Sequence, residues 1–172
     1  CVKFSRDTAI MTFTSDENGY FVFDEIPYGE YIIHEIEAPT GYILSNKSYP
    51  VRISEDGDVI EITAENKPIT VKISKRDIYG NELKGAKMQI IDSEDNVVDE
   101  WVSDGTNHVV TELPAGEYTL KEIAAPDGYV IANDIRFTVD VYGNVTVENV
   151  EATVTSENGN PLIVMVDDTT KV

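Results

Sequence analysis

The chain has 172 residues, of which 41% are apolar and 26% charged, with 32 acidic side chains against 13 basic ones and a net charge of −19. Such a surface repels phosphate backbones and excludes nucleic acid as a ready partner. The one cysteine, Cys1, excludes an intrachain disulfide and any cysteine-based metal site, and no apolar run is long enough to cross a membrane as a helix.

In chain order, short runs rich in β-branched and aromatic residues predict strands at Tyr20–Phe23 and Tyr49–Ile53, with a further Val/Ile strand between Gly57 and Asn66. Glu65-Asn66-Lys67-Pro68 reads as a linker, Pro68 limiting its freedom. Beyond it, Val71, Ile73 and Lys75 alternate with Lys72, Ser74 and Arg76, the period of two that marks a half-buried strand. Further strands are predicted around Met88–Ile91, Ile135–Val139 and Val145–Val147. Turns are expected at Glu17-Asn18-Gly19, Asp56-Gly57, Tyr79-Gly80-Asn81, Asp104-Gly105 and Tyr142-Gly143-Asn144. No stretch longer than about ten residues keeps a helical apolar stripe, so the chain reads as all-β.

The chain also repeats itself. YIIHEIEAPTGY (Tyr31–Tyr42) returns as YTLKEIAAPDGY (Tyr118–Tyr129), displaced by 87 residues, and Ile26-Pro27-Tyr28-Gly29-Glu30 returns as Leu113-Pro114-Ala115-Gly116-Glu117. A collinear match of this length marks two copies of one module. The expected boundaries are 1–67 and 68–172. Only Cys1–Phe13 stands ahead of the position matching Trp101, so the first copy reads as truncated, without its opening strand, and the chain as a segment of a longer protein.

The two Tyr-to-Gly-Tyr segments resemble the E-box of Cna B-type domains, the transthyretin-like modules of Gram-positive adhesins and pilins. Ser74-Lys75-Arg76-Asp77 with Leu83-Lys84-Gly85-Ala86 is similar to the family's opening strand, and Ile163-Val164-Met165-Val166-Asp167 resembles the last strand of an isopeptide-forming domain in a streptococcal fibronectin-binding adhesin. The resemblance implies two tandem immunoglobulin-like, transthyretin-like β-sandwiches. It also implies that the second carries an autocatalytic isopeptide bond from Lys75 to Asp167, with Glu122 as the catalytic acid. In most of the family the acceptor is an asparagine, the position the resemblance gives to Asn66 and Asn149, so Asn149 stands as the alternative acceptor. Glu35 and Asn66 are the first-copy counterparts. The lysine is missing there, since Lys3 falls on the strand matching the module's second one, and no intramolecular bond is expected.

The residue types suit the chemistry. An amide needs a neutral amine and a protonated or hydrogen-bonded carboxyl, whereas a lysine and an aspartate in water form an ion pair. Burial disfavours both charges and permits the neutral pair. Lys75 shares parity with Val71 and Ile73 and is expected to point inward; Glu122 shares parity with Tyr118 and Leu120. Both faces of the last strand are largely apolar, so parity alone does not place Asp167. A lone inward lysine is commonly a snorkelling side chain, and a lone strand glutamate is commonly exposed; the family pattern is what singles these out.

Other features read as structural. His34 and His108 stand without ligand-spaced partners, no metal or other cofactor is expected, and Trp101 is expected in the sandwich core. Acidic turns such as Asp92–Asn96 read as solvated hairpin ends. No motif of a turnover enzyme is present. The leading reading is a stalk or spacer module of a cell-wall-anchored surface adhesin or pilus protein, extracellular, with neighbouring modules of the same protein as partners. The alternative is a module that binds a host extracellular matrix protein, and an exposed apolar patch would favour it.

Overall fold

A computed structural model describes residues 2–3, 11–22, 25–57, 59–148 and 152–170. The chain divides into two compact units: Cys1–Pro39 with Ile43–Lys67, and Thr40–Tyr42 with Pro68–Val172.

The first unit pairs β1 (Val2–Lys3) with β2 (Thr12–Phe13), and β3 (Gly29–His34) with β4 (Ser48–Ile53), both antiparallel. Ile33 on β3 is buried. Among the described residues, two expected strands are not formed. Residues 20–22 are irregular, with Phe23 outside the described residues, and Val59–Thr63 is irregular, with Val59 almost fully exposed. A β-prone sequence becomes a strand only against a partner, and among the described residues neither segment joins a ladder.

The second unit is a two-sheet sandwich. One sheet runs in the order β11 (Val145–Val147), β10 (Ile135–Val139), β9 (Gly116–Ala124), β6 (Lys84–Asp92), β7 (Val97–Asp104). The other runs β12 (Thr153–Glu157), β13 (Asn160–Asp167), β5 (Thr70–Asp77), β8 (His108–Thr111). Inward residues alternate along the central strands, and Met88, Ile90, Leu120 and Phe137 on one sheet and Val71, Ile73, Ile163 and Met165 on the other are almost wholly buried. This alternation is the pattern two sheets need to share a core. Tyr118 stacks on Phe137 with ring centroids 5.5 Å apart.

One pairing brings the strands of Lys75 and Asp167 side by side. All neighbours are antiparallel except β13 and β5, which run parallel with Met165 opposite Lys75 and Asp167 opposite Asp77. Strand β12 makes this possible by crossing to the four-stranded sheet and reversing at Asn158-Gly159. Both of those residues have positive φ, 53° and 79°. Two successive left-handed residues are what a two-residue type I′ hairpin requires, and Asn-Gly is the pair that tolerates it best.

Trp101 departs from expectation. It is half-buried rather than in the core, and its ring stacks on His108 at 3.9 Å and 5°. Strands β7 and β8 are the outer strands of their sheets, so an inward side chain there reaches the rim. His108 is likewise not alone, because its Nε2 lies 2.7 Å from Asp99 Oδ2. The acidic turns are ordered rather than merely solvated. Asp77 Oδ1 accepts the N–H groups of Tyr79 and Asn81, and Asp92 Oδ1 those of Glu94 and Asn96, each at 2.9 Å. The Asn81 and Asn96 side chains hold these two carboxyls below the usual aspartate range.

Candidate functional site

Three strands from two sheets deliver the site. Lys75 lies near the end of β5, Asp167 ends β13 beside it, and Glu122 projects from β9, the middle strand of the facing sheet. All three are buried: Lys75 is 3% exposed, Asp167 0% and Glu122 5%. Burial settles what parity alone left open for Asp167, because Ile163 and Met165 point inward with it while Val166 is about half exposed.

Lys75 Nζ is in direct contact with Asp167 Oδ1 and lies 3.4 Å from Glu122 Oε1. Glu122 Oε2 accepts the backbone N–H of Ala132 at 2.7 Å. The remaining carboxyl oxygens, Glu122 Oε1 and Asp167 Oδ2, are buried and make no hydrogen bond. Two acceptor-only carboxylates buried side by side are costly, and a proton on one of them relieves the cost. Burial raises the Glu122 carboxyl above its ordinary 4.5; the Ala132 N–H and the Lys75 charge oppose that rise, and the Asp167 carboxyl adds to it. The geometry therefore sets one amine and two carboxyls, the Glu122 carboxyl biased toward its acid form, within one buried cluster.

The first unit repeats half of this arrangement. Asn66 Nδ2 donates to Glu35 Oε1 at 3.0 Å and to Oε2 at 2.8 Å, and to the Ile43 carbonyl at 3.0 Å. Ser45 N–H donates to Glu35 Oε2 at 2.8 Å, ten residues after the glutamate, just as Ala132 follows Glu122 by ten. Eight residues after each glutamate, a backbone N–H reaches the carbonyl of the residue following the acceptor position: Ile43 to Lys67 at 2.8 Å and Val130 to Asp168 at 2.9 Å. By these contacts Asp167 holds in the second unit the place Asn66 holds in the first. Asn149, which the sequence aligned with Asn66, lies outside the described residues, as does the side chain of Lys3.

The E-box tyrosines have a shared structural duty. Tyr31 Oη donates to the Pro27 carbonyl at 2.6 Å and Tyr118 Oη to the Pro114 carbonyl at 2.7 Å. Each ties its strand to the loop that leads into it, in the manner of a tyrosine corner. Sequence reasoning missed the Ser45 and Ala132 amides altogether, because a backbone donor has no residue type to recognise. The one signal that could have found them is their equal spacing from the two glutamates.

Residues 2–68 and 69–153 each match the SpaA prealbumin-like fold domain. The second match ends at the start of β12, so Asp167 lies beyond it. No curated protein matches the chain at a significant level. Among solved structures, the Bacillus anthracis TIE protein is similar with a TM-score of 0.50 and 25% identity, over 98% of this chain and 30% of that one. The C-terminal fragment of the pilus adhesin SpaC from Lactobacillus rhamnosus GG is similar with a TM-score of 0.53 and 19% identity, over 99% and 88%. The open conformation of SpaC gives 0.51 and 19%, over 99% and 28%. The SpaC likeness is one of fold, and the chain spans under a third of the length of the TIE protein and of the longer SpaC chain.

Proposed function

The chain belongs to the SpaA prealbumin-like fold domain family, and from that premise we propose that it is a stalk segment of a surface adhesin or pilus protein whose second module ties itself shut with a Lys75–Asp167 amide. The domains proposed are residues 1–67 and 68–172, joined at Lys67-Pro68. The observation that carries the reading is the convergence of Lys75, Asp167 and Glu122 in a buried site between the first and last strands of the second unit.

In the step itself, neutral Lys75 Nζ attacks Cγ of the protonated Asp167 carboxyl. Glu122, as the acid, donates to the carbonyl oxygen and stabilises the tetrahedral intermediate, as donors aimed at a developing oxyanion do. It then returns a proton from the nitrogen to the departing hydroxyl. The C–N bond forms, the C–O bond breaks, one water leaves and Glu122 is regenerated. Each chain reacts once.

The mechanical consequence supports the stalk role. Force applied to the two ends of the chain enters the second unit at Pro68 and leaves it past Asp167. With the amide in place the load passes from β5 to β13 through the side chains, and the 92-residue separation between Lys75 and Asp167 is never stretched. In a single-molecule pulling experiment the wild-type second unit should give no unfolding length. Glu122→Gln should release roughly 300 Å, the extended span of that segment. Equal extension in both proteins would sink the stalk reading.

A further inference from the structure

Of the three reacting side chains, Glu122 alone is held by a group that takes no part in the chemistry. The Ala132 N–H bonds one of its oxygens, Oε2, and leaves Oε1 facing Lys75. The same contact recurs in the first unit from Ser45 to Glu35. The side chains differ, alanine against serine, and only the backbone donor is common. The segment that carries this amide is itself anchored to the acceptor strand, through Val130 N–H to the Asp168 carbonyl at 2.9 Å and Thr170 N–H to the Gly128 carbonyl at 2.9 Å. One short stretch, Gly128–Ala132, therefore grips both the acid and the residues directly after the electrophile.

Resting on the amide reading above, we propose that the backbone N–H of Ala132 is a positioning group for bond formation, which fixes where the Glu122 proton sits. A carboxyl oxygen that accepts an N–H is the poorer place for the acid's own proton. With Oε2 so engaged, the proton of neutral Glu122 is directed to Oε1, the oxygen that lies 3.4 Å from Lys75 Nζ and otherwise makes no hydrogen bond. The donor thus aims the acid at the two reacting groups. The charged groups facing Glu122 are Lys75 from β5, which lies against Oε1, and Asp167 from β13. The Ala132 N–H also opposes the rise that burial imposes on the Glu122 carboxyl.

The test is made on the full chain, assembled by ligation in denaturant so that bond formation starts on dilution, with water loss followed by mass against time. Replacing residue 132 by its α-hydroxy acid swaps the N–H for an ester oxygen and leaves the side chain intact. That variant should form the amide at least about tenfold more slowly, the loss expected when a general acid is misaimed. Its rate should also persist to higher pH, because a contact favouring ionised Glu122 is gone. Ala132→Pro should be slowed likewise, and Ala132→Ser, which keeps the donor, should recover the rate. A wild-type rate and unmoved pH profile in the ester variant would overturn the positioning role alone. A wild-type chain that never loses water would overturn the amide reading and this role with it. If the ester chain does not fold, the unreactive Lys75→Ala chain gives the answer by NMR: the Ala132 amide proton should shift as Glu122 titrates, and a shift independent of that titration overturns the proposal.

Discussion

Glu122→Gln separates the covalent tie from the packing around it. Glutamine has the volume of glutamate, can accept the Ala132 N–H through its carbonyl oxygen, and leaves Lys75 and Asp167 in contact, but it cannot carry the proton between nitrogen and leaving hydroxyl. The folded contacts are thus retained while the crosslink is lost. The tie spans 92 residues, and closing a loop of that size in the unfolded chain is worth about 4.6 kcal/mol by the chain-entropy relation used for disulfides. For the roughly 105 residues of Pro68–Val172, an unfolding entropy of about 2.1 cal/mol/K per residue turns this into a loss of about 20 °C in Tm. Differential scanning calorimetry of both proteins, with intact mass recorded on the same samples, measures it. A variant that keeps its full mass yet melts within about 3 °C of a crosslinked wild type would refute this loop-closure contribution of the tie.

Two further outcomes are expected. Tyr118→Phe removes the hydrogen bond to the Pro114 carbonyl and should cost about 1 kcal/mol in urea denaturation without affecting amide formation; a cost below about 0.3 kcal/mol would make the corner ornamental. The raised Glu122 carboxyl predicts a pH effect that is visible when the bond is absent. A group whose folded pKa lies above its unfolded one contributes stability that is fully present below the unfolded value and is lost as pH rises through the folded value. The Lys75→Ala chain should therefore lose stability relative to its Lys75→Ala/Glu122→Gln counterpart as pH climbs above about 4.5, and a difference that stays flat or grows the other way would contradict the burial assigned to Glu122.

Much of the second unit was legible in its sequence. The alternation of Val71, Ile73 and Lys75 gave the inward face of β5, and Tyr118, Leu120 and Glu122 gave that of β9, because these positions are buried while their neighbours, the buried Ser74 apart, are half-buried or exposed. Strand β13 resisted the same reading. Val164 and Val166 are as apolar as Ile163 and Met165, although only the latter pair is nearly wholly buried. Strand β12 was invisible for the opposite reason: Thr153–Glu157 is a polar outer strand with no fully buried residue, so it carries no apolar face to find. The Asn158-Gly159 turn that marks this hairpin was not among the turns read from the sequence. In the first unit, strand-like runs such as Val59–Thr63 misled, since propensity is realised only where a neighbouring strand supplies the ladder. Trp101 misled as well, because an inward position on an outer strand opens onto the rim instead of the core.

The most direct measurement is the intact mass of the purified chain, followed by tandem mass spectrometry of its digest. The expected result is a deficit of one water and nothing more, with a branched peptide joining Lys75 to Asp167. A deficit of one ammonia would move the acceptor to an asparagine, and the full theoretical mass would contradict the amide outright.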